Sequence, residues 1–143
     1  MHSDWRVNLA NRLCNISENL TAMGIEYADM SHVFDRAGNG LVGDMRGVGL
    51  FALDGNIAHV HYMMNPTTRG PEKLRLVRRM IDMLFTEEPI VAIVGEIAAS
   101  HAASRMFVRA LGFAPAGHST FPDGRSSEKY ILERNQWVSL AVS

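Results

Sequence analysis

The stretch Tyr62-Met63-Met64-Asn65-Pro66-Thr67-Thr68-Arg69-Gly70-Pro71-Glu72-Lys73-Leu74 joins the two halves of this chain and decides how the rest is read. Its first residues close an apolar run, Ile57 to Met64, that suits a strand, and Pro66 removes a backbone donor and ends it. After Gly70-Pro71 the period changes. Leu74, Val77, Ile81 and Leu84 recur at helical spacing while Arg75, Arg78, Arg79 and Asp82 fall off that stripe, which predicts a helix over 71–85. The start of such a helix exposes backbone N–H groups at the positive end of its dipole, and Arg69, Lys73 and Arg75 add charge favourable to a phosphate. Glu72 and Pro71 work the other way, one as a negative charge in the first turn and one as a missing donor. Two readings stay open: a local phosphate site, or a helix whose Glu72 complements the dipole beside a solvated basic face.

Working outward, Val48–Leu53 and Ile57–Met64 flank Asp54-Gly55-Asn56, the chemistry of a tight turn, and read as an antiparallel hairpin. Upstream, Leu9, Leu13, Ile16, Leu20 and Met23 form one stripe of an opening helix over 4–23, with Ser3 and Asp4 able to cap it and Gly24 able to end it. Gly38, Gly40, Gly43 and Gly47 break every apolar run between 26 and 47, so no element is predicted there. Downstream, Ile90–Val94 is a short buried strand ending before Gly95. His101–Leu111 carries Ala103, Phe107, Ala110 and Leu111 on one helical face and closes at Gly112. Phe113–Thr120 and Lys129–Glu133 flank Pro122-Asp123-Gly124 as a second hairpin. The order gives an α/β chain, one domain over 1–143, with a helix crossing between two strands of a mixed sheet. The apolar tail over 136–143 packs as a last strand or makes a contact with a protein partner or a second copy.

The sequence has 143 residues, 47% of them hydrophobic and 20% charged, which is enough to bury a core without disulfides or metal. Fourteen Lys and Arg against 15 Asp and Glu leave a net charge of −1, so no global basic field exists and no nucleic acid is expected as a partner. The single Cys14 excludes an internal disulfide and a multi-cysteine zinc site, and fits the reduced cytoplasm. No run of apolar residues is long enough for a membrane span, and the charged residues among the first 19 argue against a signal peptide.

His59 and His61 alternate on one strand and share a face, but no third ligand stands at a recognised spacing, so no metal is expected. They read as a polar sheet face or as candidate general bases. Glu96, just after the buried strand, reads as a strand-end carboxylate or as a base for an amine. Ser104 has no local His or Asp to form a nucleophilic triad. The nine methionines read as adaptable core filling.

The central stretch resembles the GNAT superfamily of acyl-CoA-dependent N-acetyltransferases. That family's strand ends in Val-x-Pro-x-x-Arg-Gly-x-Gly-x-Gly/Ala, and Met64, Pro66, Arg69 and Gly70 match the first four positions in order, while Glu72 and Leu74 stand where two glycines follow. In the second half the family has Asn-x-x-Ala-x-x-x-Tyr-x-x-x-Gly-Phe. Here His101, Ser104, Val108, Gly112 and Phe113 occupy those positions, so the family's tyrosine acid is replaced by Val108. The resemblance covers about 47–134, and the family's first strand has no counterpart before the opening helix.

The resemblance implies a single GNAT-like domain, a mixed central sheet with flanking helices. It implies acetyl-CoA as cofactor, held by Met63, Met64, Arg69, Gly70, Lys73, Leu74, His101, Ser104 and Phe107, and an amine substrate deprotonated by Glu96, His59 or His61. A looser resemblance is to GNAT-like assembly and internal virion proteins of short-tailed bacteriophages. It implies instead a non-catalytic structural or binding module, placed in a virion and contacting a partner through the C-terminal tail.

Overall fold

In a computed structural model the described residues are 4–142, with side chains described through Val138. The elements are α1 (Trp5–Cys14), α2 (Ser17–Met23), a short 3-10 turn (Val33–Asp35), β1 (Asn39–Asp44), β2 (Gly47–Asp54), β3 (Ile57–Met64), α3 (Gly70–Glu87), β4 (Ala92–Ala98), α4 (Ala102–Ala110), β5 (Ala114–Thr120), β6 (Ser126–Glu133) and α5 (Arg134–Val142). The strands form a mixed six-stranded sheet in the order β1-β2-β3-β4-β6-β5. β3 and β4 are parallel with α3 between them in the chain, and the β4/β6 and β5/β6 pairs are antiparallel. This is the α/β class, with helices flanking a mixed sheet, that the element order implies.

By packing, the chain divides into two compact units. One comprises the chain through Ala52 together with His61–Leu84, and the other Leu53–Val60 with the chain from Phe85 onward. In the first unit Leu9, Leu13, Cys14, Ala28, Val48 and Met63 form a buried cluster, joined by Ile16, Leu20, Met23, Met30, Leu41 and Leu50. The Cys14 thiol is fully buried and donates to the sulfur of Met63, and burial pushes its pKa up to about 11. A thiol so placed is an apolar core atom, not a reactive one. On α3, Val77, Ile81 and Leu84 of the stripe read from the sequence are buried, joined by Leu76 and Met80, while Leu74 is half-buried. In the second unit Ile90, Ala92, Ile93, Val108, Leu111, Tyr130 and Leu132 are buried.

Four expectations need correction. The opening helix over 4–23 is two helices. Asp4 caps α1 by accepting from the Arg6 N–H, while Ser3 lies outside the described residues. The break falls at Asn15-Ile16, where Ile16 is extended with ψ 135°. Asn15 pins that break: its amide donates to the carbonyls of Asn11 and Ala28, and its oxygen accepts the N–H of Ala28.

The region without a predicted element contains β1. Its Gly40 stands directly opposite Phe51, whose ring fills the space a Cβ would take, so the strand's apolar content is supplied from across the pair.

The strand expected over Ile90–Val94 is shifted to Ala92–Ala98. At the near end the ladder fades: Val91 bonds only to the residues flanking β3 and β6, its N–H donating to Asn56 O and its carbonyl accepting from the Arg134 N–H, and the Ile90 carbonyl accepts from the Arg134 guanidinium. The far end continues past Gly95 because β6 begins at Ser126 rather than Lys129 and supplies partners as far as Ala98↔Ser127.

The tail is the helix α5 and not a strand, beginning at Arg134, whose guanidinium also donates to Glu88 O and stacks over the Phe85 ring at 5.0 Å. Val138 is exposed, and the side chains of residues 139–142 lie outside those described.

Candidate cofactor and catalytic site

In the first unit the central stretch folds as a stepped turn between β3 and α3. Asn65 organises it. Its N–H donates to Arg46 O at 3.0 Å, its carbonyl accepts the Thr68 N–H at 2.9 Å, and its side-chain oxygen accepts both the N–H and the hydroxyl of Thr67. Thr68 is buried, and Arg69 Nε donates to Pro66 O at 2.8 Å, so the loop is closed by its own polar groups. Gly70 begins the helix with φ 57°, a left-handed conformation that favours glycine, and nothing lies within 4 Å of where a Cβ would stand. The backbone is therefore open to close approach at the residue where the resemblance places a phosphate.

Charge around this turn is arranged more favourably than the sequence alone conveys. Arg69 is exposed. Lys73 is half-buried, its Nζ 5.8 Å from the centroid of the Tyr62 ring, and burial holds its pKa below the usual lysine range. An anion beside such a desolvated ammonium offsets that cost. Glu72 is exposed, and its charge helps to raise the pKa of Arg46, after the larger effect of that arginine's hydrogen bond to Asp44.

Met63 and Met64, expected near the cofactor, alternate to opposite faces of β3. Met63 enters the cluster with Leu13 and Cys14, and Met64 packs where a Cβ on Gly47 would meet its sulfur at 2.5 Å. Both side chains are buried, so what this part of β3 can offer a ligand is backbone. The carbonyl of Met64 accepts from Asn19 Nδ2 at 2.9 Å, an anchor the sequence reading missed. Leu74 is half-buried in the first turn of α3, and His61 is exposed on β3.

In the second unit His59 pairs in register with Val94. Val94 and Glu96 point to the same face of β4, so His59 and Glu96 share one sheet face. His59 is exposed, with Nε2 3.8 Å from a carboxylate oxygen of Asp54 beside the hairpin turn. Glu96 is half-buried and stands opposite Lys129. Its Oε1 accepts a hydrogen bond from the hydroxyl of Ser127, which is 1% exposed. Ser127 was not singled out from sequence; only the antiparallel β4/β6 register brings it beside Glu96.

His101, Ser104 and Phe107 follow β4 into α4. His101 is the N-cap of α4, Nδ1 accepting the Ser104 N–H at 3.2 Å. Ser104 and Phe107 are half-buried. A polar group that the sequence did not announce lies on the other face of β6. The Tyr130 hydroxyl donates to Glu128 Oε2 at 2.7 Å, and Arg105 Nη1 stands 3.8 Å from the same oxygen. Among the described residues no group of three or more His, Cys, Asp or Glu is placed to hold a metal, and no helix is long and apolar enough to cross a membrane.

No family model and no curated protein matches this sequence. Solved structures do match the fold. One is the aminoglycoside acetyltransferase AAC(6')-Ib in complex with coenzyme A, with a TM-score of 0.75 at 15% identity, covering 99% of this chain and 96% of that one. Another is spermidine N-acetyltransferase from Vibrio cholerae in complex with CoA and spermine, with a TM-score of 0.76 at 14% identity, covering 96% and 95%. A third, an uncharacterized protein from Bacillus halodurans, reaches a TM-score of 0.79 at 11% identity, covering 96% and 84%. With identities this low the likeness speaks for the backbone alone: the chain has the GNAT fold, built without a strand ahead of α1 among the described residues.

Proposed function

We propose that the protein is an N-acetyltransferase that moves an acetyl group from acetyl-CoA to a primary amine. The observation that carries this reading is the open left-handed turn at Gly70, flanked by Arg69 and the desolvated Lys73, at the helix start of a fold whose solved examples hold coenzyme A. The residues present fit that group. The backbone at Gly70 is unobstructed, the N–H groups of Gly70 and Glu72 stand at the positive end of α3, and Arg69 and Lys73 adjoin them in the chain.

When bound, acetyl-CoA supplies a thioester that a neutral amine can attack directly. Arg69 and Lys73 neutralise phosphate charge, and the backbone of β3 over 61–63 offers hydrogen-bonding groups to the extended arm. Glu96 deprotonates the amine, its carboxylate lying on the polar face of β4 with Lys129 and Ser127 beside it. His59 is the weaker candidate because it lies beside Asp54, several residues back along β3 from the phosphate turn. His61 stays a second candidate base, exposed on the same face of that strand. Val108, buried at the family's tyrosine position, would offer no proton to a departing thiolate. A cytoplasmic setting, where acetyl-CoA is abundant, goes with this reading.

The test is release of the CoA thiol from acetyl-CoA in the presence of spermine, kanamycin or methylamine as probe amines. Amine-dependent thiol release above the uncatalysed background is the expected result. Its absence with all three amines would count against catalysis and leave the GNAT fold serving as a binding module.

A further inference from the structure

Glu96 has two carboxylate oxygens, and the structure treats them differently. Oε1 accepts the hydroxyl of Ser127, whereas no other hydrogen bond to the Glu96 carboxylate is made among the described residues. Ser127 is 1% exposed, so its hydroxyl has no water to turn to, and a buried hydroxyl takes the partner within reach. The serine sits on β6 opposite Ala98, and Lys129, two residues on, stands opposite Glu96. Ser127, Lys129 and Glu96 therefore share one face of the β4/β6 pair. A hydrogen bond from a rigid strand to one oxygen fixes the rotation of the carboxylate plane and leaves the second oxygen directed elsewhere.

We infer that Ser127 is a positioning residue for Glu96: it holds Oε1 so that Oε2 is aimed to take a proton from the acceptor ammonium. The inference rests on the acetyltransferase reading above. In the step it serves, Oε2 takes one proton from the ammonium and later releases it to water. The freed nitrogen lone pair forms the C–N bond, and the C–S bond breaks with its electron pair on sulfur. A second nitrogen proton passes to that sulfur, so the products are an amide and a free thiol. No oxidant or further reactant is needed.

The experiment compares wild type, Ser127→Ala, Ser127→Thr, Glu96→Gln and the double variant Ser127→Ala/Glu96→Gln. Ser127→Ala is expected to lower kcat for acetyl transfer to the probe amines by about tenfold, with the KM for acetyl-CoA held within about twofold. Ser127→Thr, which keeps the hydroxyl, restores most of the loss. A residue that acts through Glu96 has nothing left to position once the carboxylate is gone, so the double variant matches Glu96→Gln alone. Without cofactor or turnover, the carboxyl carbon resonance of Glu96 in glutamate-labelled protein moves in Ser127→Ala and returns in Ser127→Thr.

An unchanged kcat in Ser127→Ala overturns the inference, as does a loss that adds fully to that of Glu96→Gln or one that follows a parallel loss of coenzyme A affinity. Coenzyme A binding without turnover of any probe amine also overturns it, while leaving the cofactor reading standing. If wild type binds no coenzyme A, the acetyltransferase reading itself has failed, and the inference falls with it.

Discussion

Replacing Glu96 with glutamine is expected to lower kcat for acetyl transfer by about a hundredfold or more, the scale of a lost general base. The substitution is nearly isosteric. Its side-chain oxygen still accepts the hydroxyl of Ser127, so the strand pair Glu96↔Lys129 is retained and only the ability to take a proton disappears. The affinity for coenzyme A should be unaffected, because the turn over 65–73, the proposed phosphate site, is held by Asn65, Pro66 and Arg46 and not by Glu96. Steady-state rates with a probe amine, read beside coenzyme A binding on the same preparation, separate the two effects. Full activity in Glu96→Gln would move the proton acceptor to another group, with His61 on β3 the next residue to replace.

Gly43→Ala should destabilise the protein by about 3 kcal/mol, through backbone strain together with a steric clash. Gly43 has φ 113°, outside the region that an L side chain adopts. A Cβ there would land on the carbonyl oxygen of Gly47 across the β1/β2 pair and within 2.9 Å of the sulfur of Met80 and the Cα of Val48. Two of those three atoms are backbone and cannot swing away. For a chain of this length the loss corresponds to a fall in Tm of roughly 10 °C. Gly95→Ala is the matched control, since its Cβ would meet only the Val60 carbonyl oxygen at 3.8 Å, an ordinary contact. Thermal denaturation of the two variants should therefore differ sharply. Equal midpoints would mean that the β1/β2 pair does not hold Gly43 as described.

What could be read along the chain was whatever residues declare locally. The stripe of α3, the Asp54-Gly55-Asn56 turn, the closing Gly112 and the last hairpin depend on neighbours a few positions away, and each stands within a few residues of its expected bounds. The losses are long-range. β1 was illegible because Gly40 takes its apolar cover from Phe51 on the next strand. The helix break at Asn15 was illegible because the apolar stripe runs on through it, while the bonds that fix the break reach Ala28, 13 residues away. The link from Glu96 to Ser127 spans 31 residues and appears only once β4 and β6 are in register. Met63 and Met64 followed the family pattern, yet strand alternation sends both side chains into the core, leaving only their backbone to a ligand.

Calorimetric titration of the purified chain with coenzyme A, set beside the same titration of Arg69→Ala/Lys73→Ala, tests the cofactor reading most directly. One coenzyme A per chain should bind to wild type. The double variant, folded as judged by an unchanged Tm, should bind at least about tenfold more weakly, because two charge-assisted contacts to phosphate are gone. Absence of binding heat for wild type at several temperatures, or an affinity that the double substitution leaves unchanged, would contradict the assignment of the phosphate turn at Gly70.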